Sequence, residues 1–359
     1  MKKIDLYIIR KFLGTFVFMI GAFMLIAVVF DISENIDDLV KSPATFGEII
    51  FDYYLNFCFY FANLLSSFII FLTIIWITSQ LAQRSEIIAI LSGGVSFRRF
   101  IQPYFVGAGI LVVVSLVLSH LIVPHANRAK YDFEVTYLKG ALTLGDKNLH
   151  REIQPGTFAY FKEMNLEKNI GYHFSMERWQ DGHLTWKLIS QSAIYHPDSN
   201  YWSIVKPQIR EFLDDGTERL RVQEKLDTVI DLTPEVFAPR SEIVAAMTWN
   251  ELNVFAEEQR LNGSGRTAFI EIEKHGRTSN AFSIFILTLI GVSIAARKTR
   301  GGTGAHILLA VVVGFLFVFV SRITTVAATN VGFPPYLAVW VPNLIFVFVG
   351  LWFYSRAQK

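Results

Sequence analysis

Six apolar runs constrain this chain more than any other feature. They lie near residues 12–31, 53–79, 103–123, 281–296, 306–326 and 337–354. A helix needs roughly 17–25 apolar residues to cross a bilayer core, and most of the runs reach that length. The fourth is short and is expected to borrow length from residues 266–280, read as helical. A single apolar helix can also be the core of a soluble domain, but six with basic flanks predict a membrane protein. Charged residues make up 18% of the 359, against about 25% in a typical soluble protein.

Lysine and arginine in the short loops set the expected orientation. Lys2, Lys3, Arg10 and Lys11 place the N-terminus in the cytoplasm, and Arg356 and Lys359 place the C-terminus there too. These basic residues imitate a secretory signal. The apolar stretch 13–30 is longer than a usual signal core, however, and Asp31-Ile32-Ser33-Glu34 follows where small residues would mark cleavage, so it is read as a retained first span. The loop after it carries Glu34, Asp37, Asp38 and Glu48 with a single lysine, Lys41, and is expected outside. Arg84, Arg98 and Arg99 put the next loop inside, as Arg297, Lys298 and Arg300 do for the one between spans four and five.

The long segment between spans three and four then lies outside. Residues 157–162, 171–179, 183–190, 193–196, 201–205, 208–213 and 219–224 are rich in aromatic and β-branched types. Turn signals such as Asp181-Gly182, Pro197-Asp198-Ser199-Asn200 and Asp214-Asp215-Gly216 separate several of them, which predicts an antiparallel sandwich or open barrel. Thr248-Trp249-Asn250-Glu251 has capping-box spacing, with Leu252, Phe255 and Ala256 following on one helical face. The expected division is 1–123 for spans one to three, 124–245 for the β-domain, 246–280 for connecting helices and 281–359 for spans four to six.

Catalytic motifs do not emerge. Gly301-Gly302-Thr303-Gly304 lacks the lysine and hydroxyl residue of a P-loop, no His-Glu-x-x-His is present, and the eight histidines are scattered. The single cysteine, Cys58, excludes an intramolecular disulfide and Cys-cluster zinc. A net charge of +2 gives no concentrated basic face for nucleic acid. No catalytic or metal site is therefore expected, and no buried carboxylate suggests ion coupling. Four basic residues expected near the outer side, Lys41, Arg128, Lys130 and Arg322, could meet an anionic lipid headgroup or could simply anchor the chain at the interface.

The polar interruption Ala82-Gln83-Arg84-Ser85-Glu86, running through Ile87, Ile88 and Leu91 to Ser92-Gly93-Gly94, predicts a short cytoplasmic helix that Ser85 can cap and Glu86 can open. Together with Asp5-Leu6-Tyr7-Ile8-Ile9-Arg10-Lys11, Gly265-Arg266, Gly332-Phe333-Pro334-Pro335 and Pro342, in a layout of three spans, a β-domain and three spans, this chain resembles the LptF/LptG (YjgP/YjgQ) permeases of the lipopolysaccharide-export ABC transporter. The Ala-Gln-Arg-Ser-Glu and Gly-x-Pro-Pro versions are more LptG-like than LptF-like.

The resemblance implies six transmembrane helices and a periplasmic jellyroll-like domain, in the bacterial inner membrane. It implies a sister permease, a dimeric cytoplasmic LptB-type ATPase, LptC/LptA-type bridge proteins and lipopolysaccharide as cargo. ATP and magnesium would belong to the ATPase, so that this chain binds no cofactor and hydrolyses nothing. A coupling helix at 84–91 would dock on the ATPase through Arg84, Ser85, Glu86, Ile87, Ile88 and Leu91, with Glu86 in the position of the family's glutamate. The family's outer lysine maps to Lys41, here in a more acidic setting, and Arg128 and Lys130 match by region. The residues taken alone also admit a non-transporting envelope scaffold or mechanotransmission protein that recruits an ATPase.

Overall fold

The computed structural model describes residues 3–138, 149–165, 168–213, 216–234, 244–261, 267–297 and 302–357. Six helices are long and apolar enough to cross a membrane. They are α1 (Lys3–Lys41), α2 (Phe46–Gln83), α4 (Phe97–Tyr137), α6 (Ala268–Ala295), α7 (Gly302–Asn330) and α8 (Pro335–Arg356). Between α2 and α4 sits the short helix α3 (Glu86–Ser92), and α5 (Trp249–Leu261) precedes α6. The short fourth apolar run is indeed the second half of a continuous helix that starts at Ala268. The Gly265-Arg266 marker lies outside the described residues.

Burial is uneven among the spans. In the most apolar stretch of α6, 67% of residues are buried, against 11% in α1 and 17% in α7. α6 packs on α8, α2 and α4 and so forms the centre of the bundle. Small residues permit this closeness: a Cβ on Gly291 of α6 would lie 3.0 Å from Ile74 of α2. Likewise a Cβ on Gly107 of α4 would lie 2.6 Å from the Phe12 ring of α1. Small residues let membrane helices approach where water supplies no driving force between them.

The second compact unit gathers residues 38–43 and 131–243. Its strands form one antiparallel sheet: β1 (Leu149–Gln154), β2 (Thr157–Asn165), β3 (Ile170–Gln180), β4 (His183–His196), β5 (Tyr201–Val205), β6 (Gln208–Phe212), β7 (Glu218–Val222) and β8 (Lys225–Thr228). The expected all-β domain between spans three and four is present. Two of the expected strands, 183–190 and 193–196, are one strand, β4. Along one edge β4 pairs with β3 throughout; along the other, Trp186–Ile189 pair with β6 and Ser192–His196 pair with β5. Ser190 stands at this switch, and its hydroxyl bonds the carbonyls of Ser192 and Val205. Because one strand serves two neighbours, the sheet encloses an apolar core around Phe161, Phe174, Leu188 and Trp202, as a jellyroll-like domain does. The Trp202 indole N–H satisfies itself on the Leu232 carbonyl at 2.8 Å.

Candidate functional site: the short helix and the polar end of the bundle

The helix α3 is seven residues long and is held from below. Ile87 is 1% exposed and enters an apolar cluster with Leu81 and Ala82 of α2, Phe97, Phe100 and Tyr104 of α4, Ile8 and Phe12 of α1, and Ala357 beyond α8. Ile90 and Leu91 pack against the same cluster. Ile88 and Ser92 are exposed and lie four residues apart, so they form one outward line on the helix, while Arg84, at the end of α2 before the turn at Ser85, is exposed as well. Glu86 is partly exposed in the first turn, where the helix dipole favours a carboxylate. The six expected docking residues thus divide. Arg84 and Ile88 present themselves, Glu86 and Ser85 are half-buried at the helix start, and Ile87 and Leu91 hold the helix to the bundle.

One local expectation changes. Ser85 occupies the N-cap position but makes no side-chain cap, because its backbone is left-handed at φ 61°. This conformation turns the chain sharply out of α2 and aims α3 away from it; a capping hydroxyl needs extended backbone instead. The next turn ends at Gly94, whose φ of 83° suits glycine. Ser96 then caps α4, accepting from the Arg99 N–H at 3.3 Å. Arg99 pairs with Asp5 of α1 at 2.5 Å, with Asp5 only 6% exposed. The loop carrying α3 is therefore pinned at both of its ends, by the Ile87 cluster and by this ion pair.

At the opposite ends of the same spans the chemistry is polar. Asn63 of α2 donates to Ser119 of α4 at 3.0 Å, and Asn343 of α8 donates to the Ser279 hydroxyl of α6 at 2.8 Å. Arg277 of α6 is 5% exposed. It binds Glu273 through Nε at 2.8 Å and donates from Nη2 to the Met247 carbonyl at 2.9 Å. Thr248 and Glu251 form the expected capping box on α5, and Arg128 Nη2 donates to both carboxylate oxygens of Glu251 at 3.0 Å. The Thr248 backbone N–H, then Arg128, then the Thr248 hydroxyl hold the Glu251 carboxyl down to about 2.

The four expected headgroup residues meet different surroundings. Arg128 is engaged by Glu251, and the Lys130 ammonium lies 5.6 Å from the Tyr60 ring centroid. Lys41, at the end of α1, and Arg322, on α7, are exposed and make no ion pair among the described residues. Sequence reading passed over Arg277, although Glu273 one helical turn earlier gives the i,i+4 pairing that could have marked it. Asp5 enters the sequence analysis only as part of the Asp5–Lys11 marker, and its pairing with Arg99 shows only in the structure.

In the β-domain a groove of about 650 Å³ opens beside the β4 switch, bordered by Tyr160, Lys187, Ile189, Lys206 and Val222.

Comparison with known proteins agrees with this arrangement. The family model for the lipopolysaccharide export system permease LptF/LptG matches residues 6–356. The lipopolysaccharide export system permease protein LptG of Haemophilus influenzae is 22% identical over 281 residues, 78% of this chain and 78% of that protein. The match therefore runs through the spans, the short helix and the β-domain alike, and the chain belongs to the LptF/LptG family of lipopolysaccharide export permeases.

Proposed function

We propose that this chain is the energy-receiving permease subunit of an ATP-driven exporter, taking lipopolysaccharide from the outer leaflet of the inner membrane and passing it to a periplasmic bridge. The observation that carries the reading is α3, a short helix with Ile88 and Ser92 turned outward, exposed Arg84 just ahead of it, and Ile87 seated among residues of α1, α2 and α4. A push on the exposed line reaches three spans at once through that buried isoleucine. A separate cytoplasmic ATPase dimer supplies the push, and the docking contact is made by Arg84, Glu86 and Ile88. This orientation, with both termini cytoplasmic and the β-domain periplasmic, rests on the lysine and arginine of the short loops.

The little-buried α1 and α7 are the faces offered to a sister permease, so that the two chains enclose the lipid between them. Phe18, Leu25 and Phe30 on α1, and Phe315, Phe319 and Ile323 on α7, supply apolar surface for acyl chains. Lys41 and Arg322 are the residues best placed to meet its phosphates, because neither charge is engaged elsewhere among the described residues. The groove beside Ile189 then accepts the lipid on its way to bridge proteins of the LptC/LptA type.

Recovery of the ATPase with an affinity-tagged form of this chain tests the docking claim. Ile88→Asp places a charge in the outward line without touching the core, and is expected to lower co-purification about tenfold or more, the scale of an interface anchor. Recovery equal to the native chain would remove α3 as the docking site and favour a scaffold that recruits its partner by another surface.

A further inference from the structure

We infer that the polar end of the bundle holds an oxyanion site, built on Arg277, that takes the phosphate group of a membrane lipid. A cavity of about 210 Å³ lies there among α2, α4, α6, α7 and α8. It is several times the roughly 30 Å³ share of one water molecule. Its only charged wall residues among those described are Arg277 and Glu273.

The guanidinium is committed on two of its three nitrogens. Nε holds Glu273 at 2.8 Å, and Nη2 holds the carbonyls of Met247 at 2.9 Å and Ala245 at 3.4 Å. Nη1 is buried and has no hydrogen-bond partner among the described residues. A planar, permanently charged fork with a free buried nitrogen is suited to a phosphate or carboxylate oxygen, which it binds by a charge-assisted bond. Asn343 Oδ1 on the same wall is also buried and unpartnered, so it can accept from the hydroxyl of a singly protonated phosphate.

Access and source follow from the rest of the wall. Leu64 of α2 is 52% exposed, and Phe317, Ser321 and Thr325 come from α7, the second least buried span. The cavity thus reaches the bundle surface on a side where a lipid can lie. The choice of a lipid phosphate rests on the permease reading, whereas the oxyanion site does not.

Equilibrium binding to the purified, detergent-solubilised complex, without ATP, tests the site independently of export. Three probes are compared: inorganic phosphate, dihexanoyl phosphatidic acid and the uncharged dihexanoylglycerol. The native chain is expected to bind phosphatidic acid, and Arg277→Gln to weaken it about ten- to a hundredfold, the worth of a hydrogen bond to a charged group. Because Arg277 also ties Met247, Ser321→Asp serves as the second variant. It sets a carboxylate in the wall, leaves the guanidinium's bonds in place, and is expected to weaken phosphatidic acid to a similar degree at unchanged melting temperature. Binding of inorganic phosphate in place of the lipid, with the same variant losses, would keep the site and assign it to a free oxyanion. Equal affinity in native and variant chains, binding of dihexanoylglycerol as strong as phosphatidic acid, or no binding of either phosphate probe would overturn it.

Discussion

The two ends of the helix bundle are built from opposite materials. The end that bears α3 holds a dry cluster of Phe97, Phe100, Tyr104, Phe12 and Ile87; its polar links among the described residues include two buried hydroxyl bonds, Thr78 to Tyr104 at 3.0 Å and Ser79 with His306 Nδ1 at 2.8 Å, and the Asp5–Arg99 ion pair. The end from which the β-domain is inserted is wired by amides, hydroxyls and a guanidinium: Asn63, Ser119, Asn343, Ser279 and Arg277. Close-packed apolar side chains transmit displacement with little compliance. Directional polar bonds instead hold one arrangement and can exchange partners with a ligand. One end is therefore suited to take up force and the other to meet a charged cargo.

The largest effect is expected where the dry end is emptied. Phe97 is 5% exposed, stacks on Phe100 and meets the Tyr354 ring at a tilt. Phe97→Ala should cost about 3–5 kcal/mol and lower the thermal midpoint of the solubilised protein markedly. A shift no larger than that of a surface variant would mean that this end is not closely packed. At the polar end, Asn343→Ala should cost less, about 1–3 kcal/mol, because it removes the donor that Ser279 receives. A loss equal to that of Phe97→Ala would erase the distinction between the two ends.

The smallest effect belongs to the rim. Arg128 and Glu251 are both about half exposed, so Arg128→Ala should cost at most about 1 kcal/mol, and less in high salt. The Glu251 carboxyl, held down to about 2, has its contribution in full above its unfolded value of about 4.3 and loses it as pH falls through about 2. Glu251→Gln should flatten that part of the acid-unfolding profile measured on the solubilised protein. An unchanged profile would show that the pair lends the α5 cap nothing.

How much of this could be read from sequence differs between the two ends in the same way. Membrane spans declare themselves by length and apolarity, and the Thr248 to Glu251 cap by local spacing, so all of these were legible. α3 was legible as a helix because a polar gap with an apolar stripe is a local pattern, but which isoleucine faces inward was not. Ile87 and Ile88 differ only in the direction set by the left-handed turn at Ser85. Arg277 escaped because the carbonyls it binds lie 30 and 32 residues away in the chain. Before an apolar run, a lone arginine looks like an interfacial anchor. In the β-domain, β1 and β8 were missed because Leu149–Gln154 and Lys225–Thr228 are short and rich in charged and polar residues. Ser190-Gln191-Ser192 looked like a break and is the point where β4 changes neighbours.

The central claim is that force entering at α3 moves lipid toward the β-domain, and one reconstitution reads both ends of that path. A photo-crosslinking residue replaces Ile189, which is 42% exposed on the groove, and the chain is placed in proteoliposomes with its sister permease, the ATPase, the bridge proteins and lipopolysaccharide. The account predicts a lipopolysaccharide adduct that grows with ATP and falls about tenfold or more when Glu86→Lys is added, with the protein still folded. An ATP-dependent adduct of equal size in the Glu86→Lys chain, or no adduct under any condition, would contradict it.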